Sequence, residues 1–149
     1  MEPDQEVQRL VDEAAIRRIM VQYARGVDRK DIDLVGACFA EDAVAQYPDG
    51  PPEGFHGRAA IKDFLQIIHT FEVTMHFMGN QTVELDGDKA WAETYAVAYH
   101  RRKGGESDWT LGVRYHDRFE RREGRWTIVW QQSFRDWIRE DAVVLAPPE

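Results

Sequence analysis

From Val73 to Trp137 the chain alternates side chains between two faces with a period of two, interrupted only by short turn-forming stretches. These are Asp86-Gly87-Asp88, the glycine-containing segment KGGES and Glu123-Gly124. They delimit four predicted strands, Val73–Leu85, Lys89–Arg102, Trp109–Arg122 and Arg125–Trp137. Strands joined this tightly form an antiparallel meander, and strands this long twist and curl. The concave side of a curled sheet has to be covered, and the residues before Val73 are the available cover.

Those residues read as helices. Over residues 5–27, Ile16, Ile19, Met20, Tyr23 and Val27 recur at helical spacing, with Arg17, Arg18, Gln22 and Arg25 predicted to face outward. Gly26 stands near the end, where glycine often closes a helix, and residues 28–31 (DRKD) predict a corner. Asp31 is placed to cap a short second helix, IDLVGACFA. Ala43–Tyr47 is a short strand candidate. The stretch YPDGPPEGFHG that follows, with three prolines and three glycines, reads as a loop. Arg58–Thr70 predicts an amphipathic helix with Ile61, Phe64, Leu65 and Ile68 inward. The tail DAVVLAPPE reads as irregular or a short edge segment. Helices first and a meander afterwards give an α+β class. The expected shape is a cone-shaped, curved antiparallel sheet with N-terminal helices closing an internal pocket, as one domain over residues 1–149.

Bulk properties narrow the function. At 149 residues with 43% hydrophobic content, one core is affordable, and a net charge of −8 disfavours phosphate backbones and anionic lipid. No nucleic-acid or membrane partner is expected. Cys38 is the only cysteine, so no internal disulfide forms. The start, MEPDQEVQRL, has neither a basic nor an apolar segment of a signal peptide, and no apolar run approaches the ~20 residues that span a bilayer. A cytoplasmic protein is expected. The sequence contains no CxxC, no HExxH and no phosphate-binding glycine loop, so neither a metal nor a cofactor is expected.

The segments AIRRIMVQYARGVDRKDIDLVGACFAEDAV, HGRAAI, HFMGNQTVELDGDKAWAETYAVAYHRR and GVRYHDRFERREGRW, in that order, resemble the SnoaL-like branch of the nuclear transport factor 2-like superfamily. The resemblance runs from about residue 8 to about residue 137. Within the branch the pattern is similar to scytalone dehydratase, γ-hexachlorocyclohexane dehydrochlorinase and bile acid 7α-dehydratase, cofactor-free lyases with an Asp–His pair in the cone. By that resemblance the Asp of GVDR, Asp28, and the His of MHFMGN, His76, form the pair. Tyr23, five residues before the Asp, and Tyr47, on the first short strand, occupy the positions of the assisting tyrosines. The last-strand arginine of two of these enzymes is replaced here by Gln131, which removes a fixed cation.

Read without the resemblance, Asp28 is a solvated corner residue or a turn residue bonded to its own backbone, since a helix C-terminus disfavours a carboxylate. A lone His76 on a strand is a satisfied core histidine. Together, a carboxylate on Nδ1–H and a neutral imidazole make a general base, because the unperturbed imidazole pKa is about 6.5. Alternation puts Thr74, His76 and Met78 on one face, with Ala92, Thr94, Ala96, Ala98 and His100 on the face that the resemblance makes concave. Val113, Tyr115 and Asp117 face inward on the third long strand, and Val129, Gln131 and Ser133 on the fourth. Asp117 reads as a structural hydrogen-bond partner. The expected pocket wall is Thr74, Met78, Ala96, Ala98, Tyr115, Val129 and Gln131. Trp91, Tyr95, Tyr99, Trp126 and Trp130 are left to the convex face, so a homo-oligomer, dimer or trimer, is expected. The resemblance implies a dehydratase-like lyase acting on a small apolar or cyclic molecule of polyketide, steroid or aromatic type. The alternatives are an isomerase or polyketide cyclase with the same base, or a non-catalytic small-molecule binding protein.

Overall fold

The computed structural model describes residues 3–144. In chain order the elements are α1 (Pro3–Arg29), α2 (Ile32–Gly36), β1 (Phe39–Gln46), β2 (Phe55–His56), α3 (Arg58–Leu65), a 3₁₀ turn (Gln66–Thr70), β3 (Phe71–Asp86), β4 (Lys89–Arg102), β5 (Ser107–Arg122) and β6 (Arg125–Ala142). They form one six-stranded sheet ordered β2-β1-β6-β5-β4-β3. The β3–β6 meander is antiparallel throughout, and β1 adds to β6 in parallel. The parallel pairing is possible because the whole meander intervenes between those two strands. Extra residues bend the ladder at Gly79–Asn80 in β3 and near Val129 and Asp136 in β6.

The core lies between the concave face and the helices. Ile16, Met20, Tyr23 and Val27 of α1 are buried, as are Ile61, Leu65 and Ile68. Ala90, Ala92, Ala96 and Ala98 of β4 face them, so the alanine-rich face is the concave one. Their small side chains leave space between the sheet and the helices. Val73, Met75 and Phe77 of β3 and Tyr95 and Tyr99 of β4 point to the outer, exposed face.

Several sequence expectations need correction. Gly26 does not end α1. The helix continues to Arg29 and closes at Lys30, whose φ is 57°, with Asp31 N–H bonding Gly26 O and Lys30 N–H bonding Val27 O. Gly26 is needed for contact instead, since a Cβ there would lie 2.6 Å from Val35 Cγ2. Asp31 does cap α2, accepting from Leu34 N–H at 2.9 Å, but the helix stops at Gly36 and β1 begins at Phe39, earlier than alternation indicated. Gln22 turns toward α2 and donates to Leu34 O. The predicted loop contains the two-residue β2, and β6 runs past Trp137 to Ala142. The last residues of the predicted tail, 145–149, lie outside the described residues. Trp126 belongs to the interior, where its indole N–H donates to Asp12 on α1 at 2.9 Å. None of the described helices is long and apolar enough to cross a membrane.

Gly26→Ala separates the two roles of that glycine. Helix propensity alone would stabilise the chain by up to about 1 kcal/mol. Overlap with Val35 is expected to win, lowering stability by about 1–3 kcal/mol in urea unfolding.

Candidate active site

A cavity of about 450 Å³ lies inside the cone, between α1, α3 and the concave face. Its wall combines Val27, Phe64, Leu65, Ile68, Leu111 and Val113 with a few polar groups, among them Tyr23, Tyr47, Thr74, His76, His100, Tyr115 and Ser133. That volume suits a single small molecule.

Asp28 occupies the last turn of α1 and reaches across to β3. Its carboxylate accepts the His76 ring Nδ1–H at 2.7 Å, the His76 backbone N–H at 2.9 Å and the Thr74 hydroxyl at 3.0 Å. Burial by itself would raise the Asp28 carboxyl, but the His76 ring and backbone donors, with Thr74, hold it below the usual carboxylate range. An ionised Asp28 can only accept, so Nδ1 carries the proton and Nε2 is left as the free basic nitrogen. The His76 side chain is 7% exposed and that of Asp28 24%.

His100, put on the concave face but without a matched carboxylate, was not among the expected site residues. In fact it lines the cavity, with its ring centroid 5.4 Å from that of His76. Register explains this: Thr74 opposes His100 and His76 opposes Ala98, so the two histidines are diagonal neighbours on one face. Desolvation, with His76 nearby, pushes His100 down to about 4, which keeps it neutral. Buried Nδ1 of His100 has no partner among the described residues.

The floor is built from three tyrosines, with an amide behind them. Tyr23 packs edge-on against Tyr115, with ring centroids 5.6 Å apart. The Tyr47 hydroxyl donates to Gln131 Oε1 at 3.2 Å, and Gln131 Nε2 donates to Asp117 Oδ1 at 2.8 Å. Burial raises all three tyrosines above their ordinary value, so all are neutral hydroxyls. Asp117 and Gln131 are both 0% exposed. Burial drives Asp117 up to about 7, the bond from Gln131 only partly opposing it. Cys38, pushed up to about 12 by burial, is an inert core thiol.

Of the expected pocket wall, Thr74, Ala98 and Tyr115 line the cavity. Met78 and Ala96 pack in the core and do not line it. Val129 sits at a bulge in β6 and borders a separate depression with Leu85, Ala90 and Phe119, because the bulge breaks the alternation used to place it. Gln131 lies beneath the wall, behind Tyr47, rather than in it. Among the described residues no three His, Cys, Asp or Glu side chains come together in a way that would hold a metal ion.

Residues 8–130 match the model of the SnoaL-like domain. This chain belongs to the SnoaL-like family. An uncharacterized Mycobacterium tuberculosis protein, Rv2910c, is 29% identical over 128 residues, covering 83% of this chain and 84% of that one. A candidate scytalone dehydratase from Novosphingobium aromaticivorans shares 27% identity at a TM-score of 0.82, covering 94% of each chain. The type 3 hexachlorocyclohexane dehydrochlorinase of Novosphingobium barchaimii superposes at a TM-score of 0.85 over 96% of this chain and 99% of that one. At 18% identity this likeness concerns the fold. A Nostoc punctiforme protein of unknown function with a cystatin-like fold superposes at 0.72 with 20% identity, covering 85% of this chain and 92% of that one.

Asp117 makes the SnoaL-like domain sensitive to pH. A carboxyl raised in the folded state binds its proton more tightly there than in the unfolded chain. Stability therefore falls as pH climbs from the ordinary carboxylate range to about 7. Asp117→Asn is expected to flatten this slope, gaining more stability over wild type at about pH 8 than at about pH 5. Denaturant midpoints at the two pH values measure it.

Proposed function

We propose that this chain is a cofactor-independent lyase of dehydratase type, with Asp28 and His76 as its base. The observation that carries this reading is the 2.7 Å contact between Asp28 and His76 Nδ1 at the wall of a largely apolar cavity. Asp28 fixes the tautomer and balances the imidazolium that forms when Nε2 takes a proton. In a poorly hydrated cavity that electrostatic support is less screened than in water. The substrate is a small cyclic molecule carrying an acidic C–H beside a carbonyl or aromatic ring, with a hydroxyl one carbon further on. Removal of the proton by His76 places charge on the carbonyl oxygen, where the hydroxyl of Tyr23, or that of Tyr47 once its hydrogen is turned from Gln131, donates a hydrogen bond. As the C–O bond breaks and the C=C bond forms, the His76 imidazolium gives its proton to the departing hydroxyl, which leaves as water and restores the neutral base. The similarity to a candidate scytalone dehydratase supports the reading.

The placement of His100 favours a second reading. Its ring stands beside His76 on the same side of the cavity, where it can orient a bound molecule so that the proton taken by His76 is returned by His76 to another atom of it, as in an isomerase or cyclase. Conservation of mass between substrate and product distinguishes this from dehydration. The exposed stripe of Val73, Met75, Phe77, Tyr95 and Tyr99 supports self-association through the outer sheet face.

A mass-spectrometric screen of β-hydroxy cyclic ketones for loss of one water tests the lyase reading. On any substrate found, His76→Ala is expected to lower kcat by about 10²–10⁴-fold. Asp28→Asn, which leaves shape but not charge, should also impair kcat. Wild-type turnover by the His76→Ala protein would overturn the assignment.

A further inference from the structure

Beneath the cavity, Tyr47, Gln131 and Asp117 form one hydrogen-bonded line, from the floor of the pocket to a carboxyl sealed in the core. We propose that Asp117 is a positioning residue that, through the amide of Gln131, decides whether Tyr47 meets a bound molecule as a hydrogen-bond acceptor or as a donor. The inference concerns binding and holds whatever reaction His76 carries out.

The donor and acceptor inventory of the line leads to this. A carboxylate only accepts, so an ionised Asp117 requires Gln131 to point Nε2 toward it. Oε1 then faces Tyr47 and takes up the hydroxyl hydrogen, the arrangement seen here. Tyr47 is left with oxygen lone pairs for the cavity. A neutral Asp117 brings a hydrogen of its own. If the amide kept its orientation, that hydrogen would sit on Oδ2, which has no partner and no contact with solvent. A buried orphan donor is costly, whereas an orphan carbonyl oxygen is tolerated better. Turning the amide over lets Asp117 donate to Oε1 and Nε2 donate to the Tyr47 oxygen. The Tyr47 hydrogen is thereby released toward the cavity.

The surroundings leave Asp117 free to change state. Facing it are Tyr23 from α1, Cys38 ahead of β1, Tyr47 after β1 and Tyr115 on β5 itself, all neutral acids. From β4 it is opposed by Ala92, and from β6 by Gln131. Among the described residues no cation lies within ion-pair distance of it, consistent with burial holding its pKa near 7. The position where the resemblance calls for an arginine holds Gln131, and an amide can reverse where a guanidinium, which only donates, cannot.

Acetophenone, whose carbonyl accepts but cannot donate, is the probe, and α-methylstyrene, its hydrocarbon isostere, is the control. Affinities of the full-length wild-type protein are compared at about pH 5.5 and about pH 8.5, either side of the Asp117 pKa. Wild type is expected to bind acetophenone about 3- to 10-fold more tightly at the lower pH, the worth of one hydrogen bond, with α-methylstyrene unchanged. Asp117→Asn and Gln131→Leu should each remove that preference, while any contribution from His76 persists in both and cancels in the comparison. Difference infrared spectroscopy should show a protonated carboxyl band at the lower pH that fades at the higher. The wild-type reading needs no variant. An unchanged acetophenone pH profile in Gln131→Leu, or the absence of the carboxyl band at the lower pH, would overturn the proposal.

Discussion

Asp28 accepts three hydrogen bonds from two residues of one strand, and that contact sets the height of α1 over the sheet, the orientation of the His76 ring and its tautomer together. A carboxylate in the last turn of a helix is opposed by the helix's own carbonyl end. Here the donors of β3 outweigh that opposition. The helix end must therefore arrive at the right place. Gly26 makes this possible by letting α1 approach Val35 closely, and the left-handed Lys30 makes it possible by turning the chain away immediately afterwards. The cavity is the space left when α1 is held at that distance from a sheet face lined with alanine.

A second histidine–carboxylate pair shows what burial contributes. His116 Nε2 lies 2.7 Å from Glu93, the same separation as in the Asp28–His76 pair. That pair is on the outer face, and Arg114 also approaches Glu93. The carboxylates are alike in exposure, 22% for Glu93 and 24% for Asp28, but the His116 side chain is 25% exposed against 7% for His76. Contact distance alone does not distinguish a base from a surface ion pair. What sets the Asp28–His76 pair apart is the largely apolar cavity it borders, which strengthens electrostatic coupling and leaves room for a small molecule.

Much of the fold was legible because periodicity is a local property. The meander, its hairpins and the inward faces of α1 and α3 follow from spacing that each segment carries within itself, whereas the choice of the alanine face of β4 as the concave one came from the family resemblance. Failures gathered where the period is broken or where an element's end is chosen by its neighbours. Val129 was misplaced by a bulge that only pairing with β5 reveals. Gly26 looked like a terminator and proved to be a contact. Trp126 was assigned outward, although its partner Asp12 lies 114 positions away.

The site divides along the same line. Sequence by itself determined the fold class, and through family likeness it singled out Asp28, His76, Tyr23 and Tyr47, whose positions relative to local elements mark them. Only the tertiary structure could decide that His100 joins them, that Gln131 stands behind the wall rather than in it, and that Asp117 ends a buried line without a countercharge. These depend on strand register and on what surrounds each group. Register is fixed by pairing across the sheet and desolvation by the whole packed interior, and neither is a property of any stretch of chain taken alone.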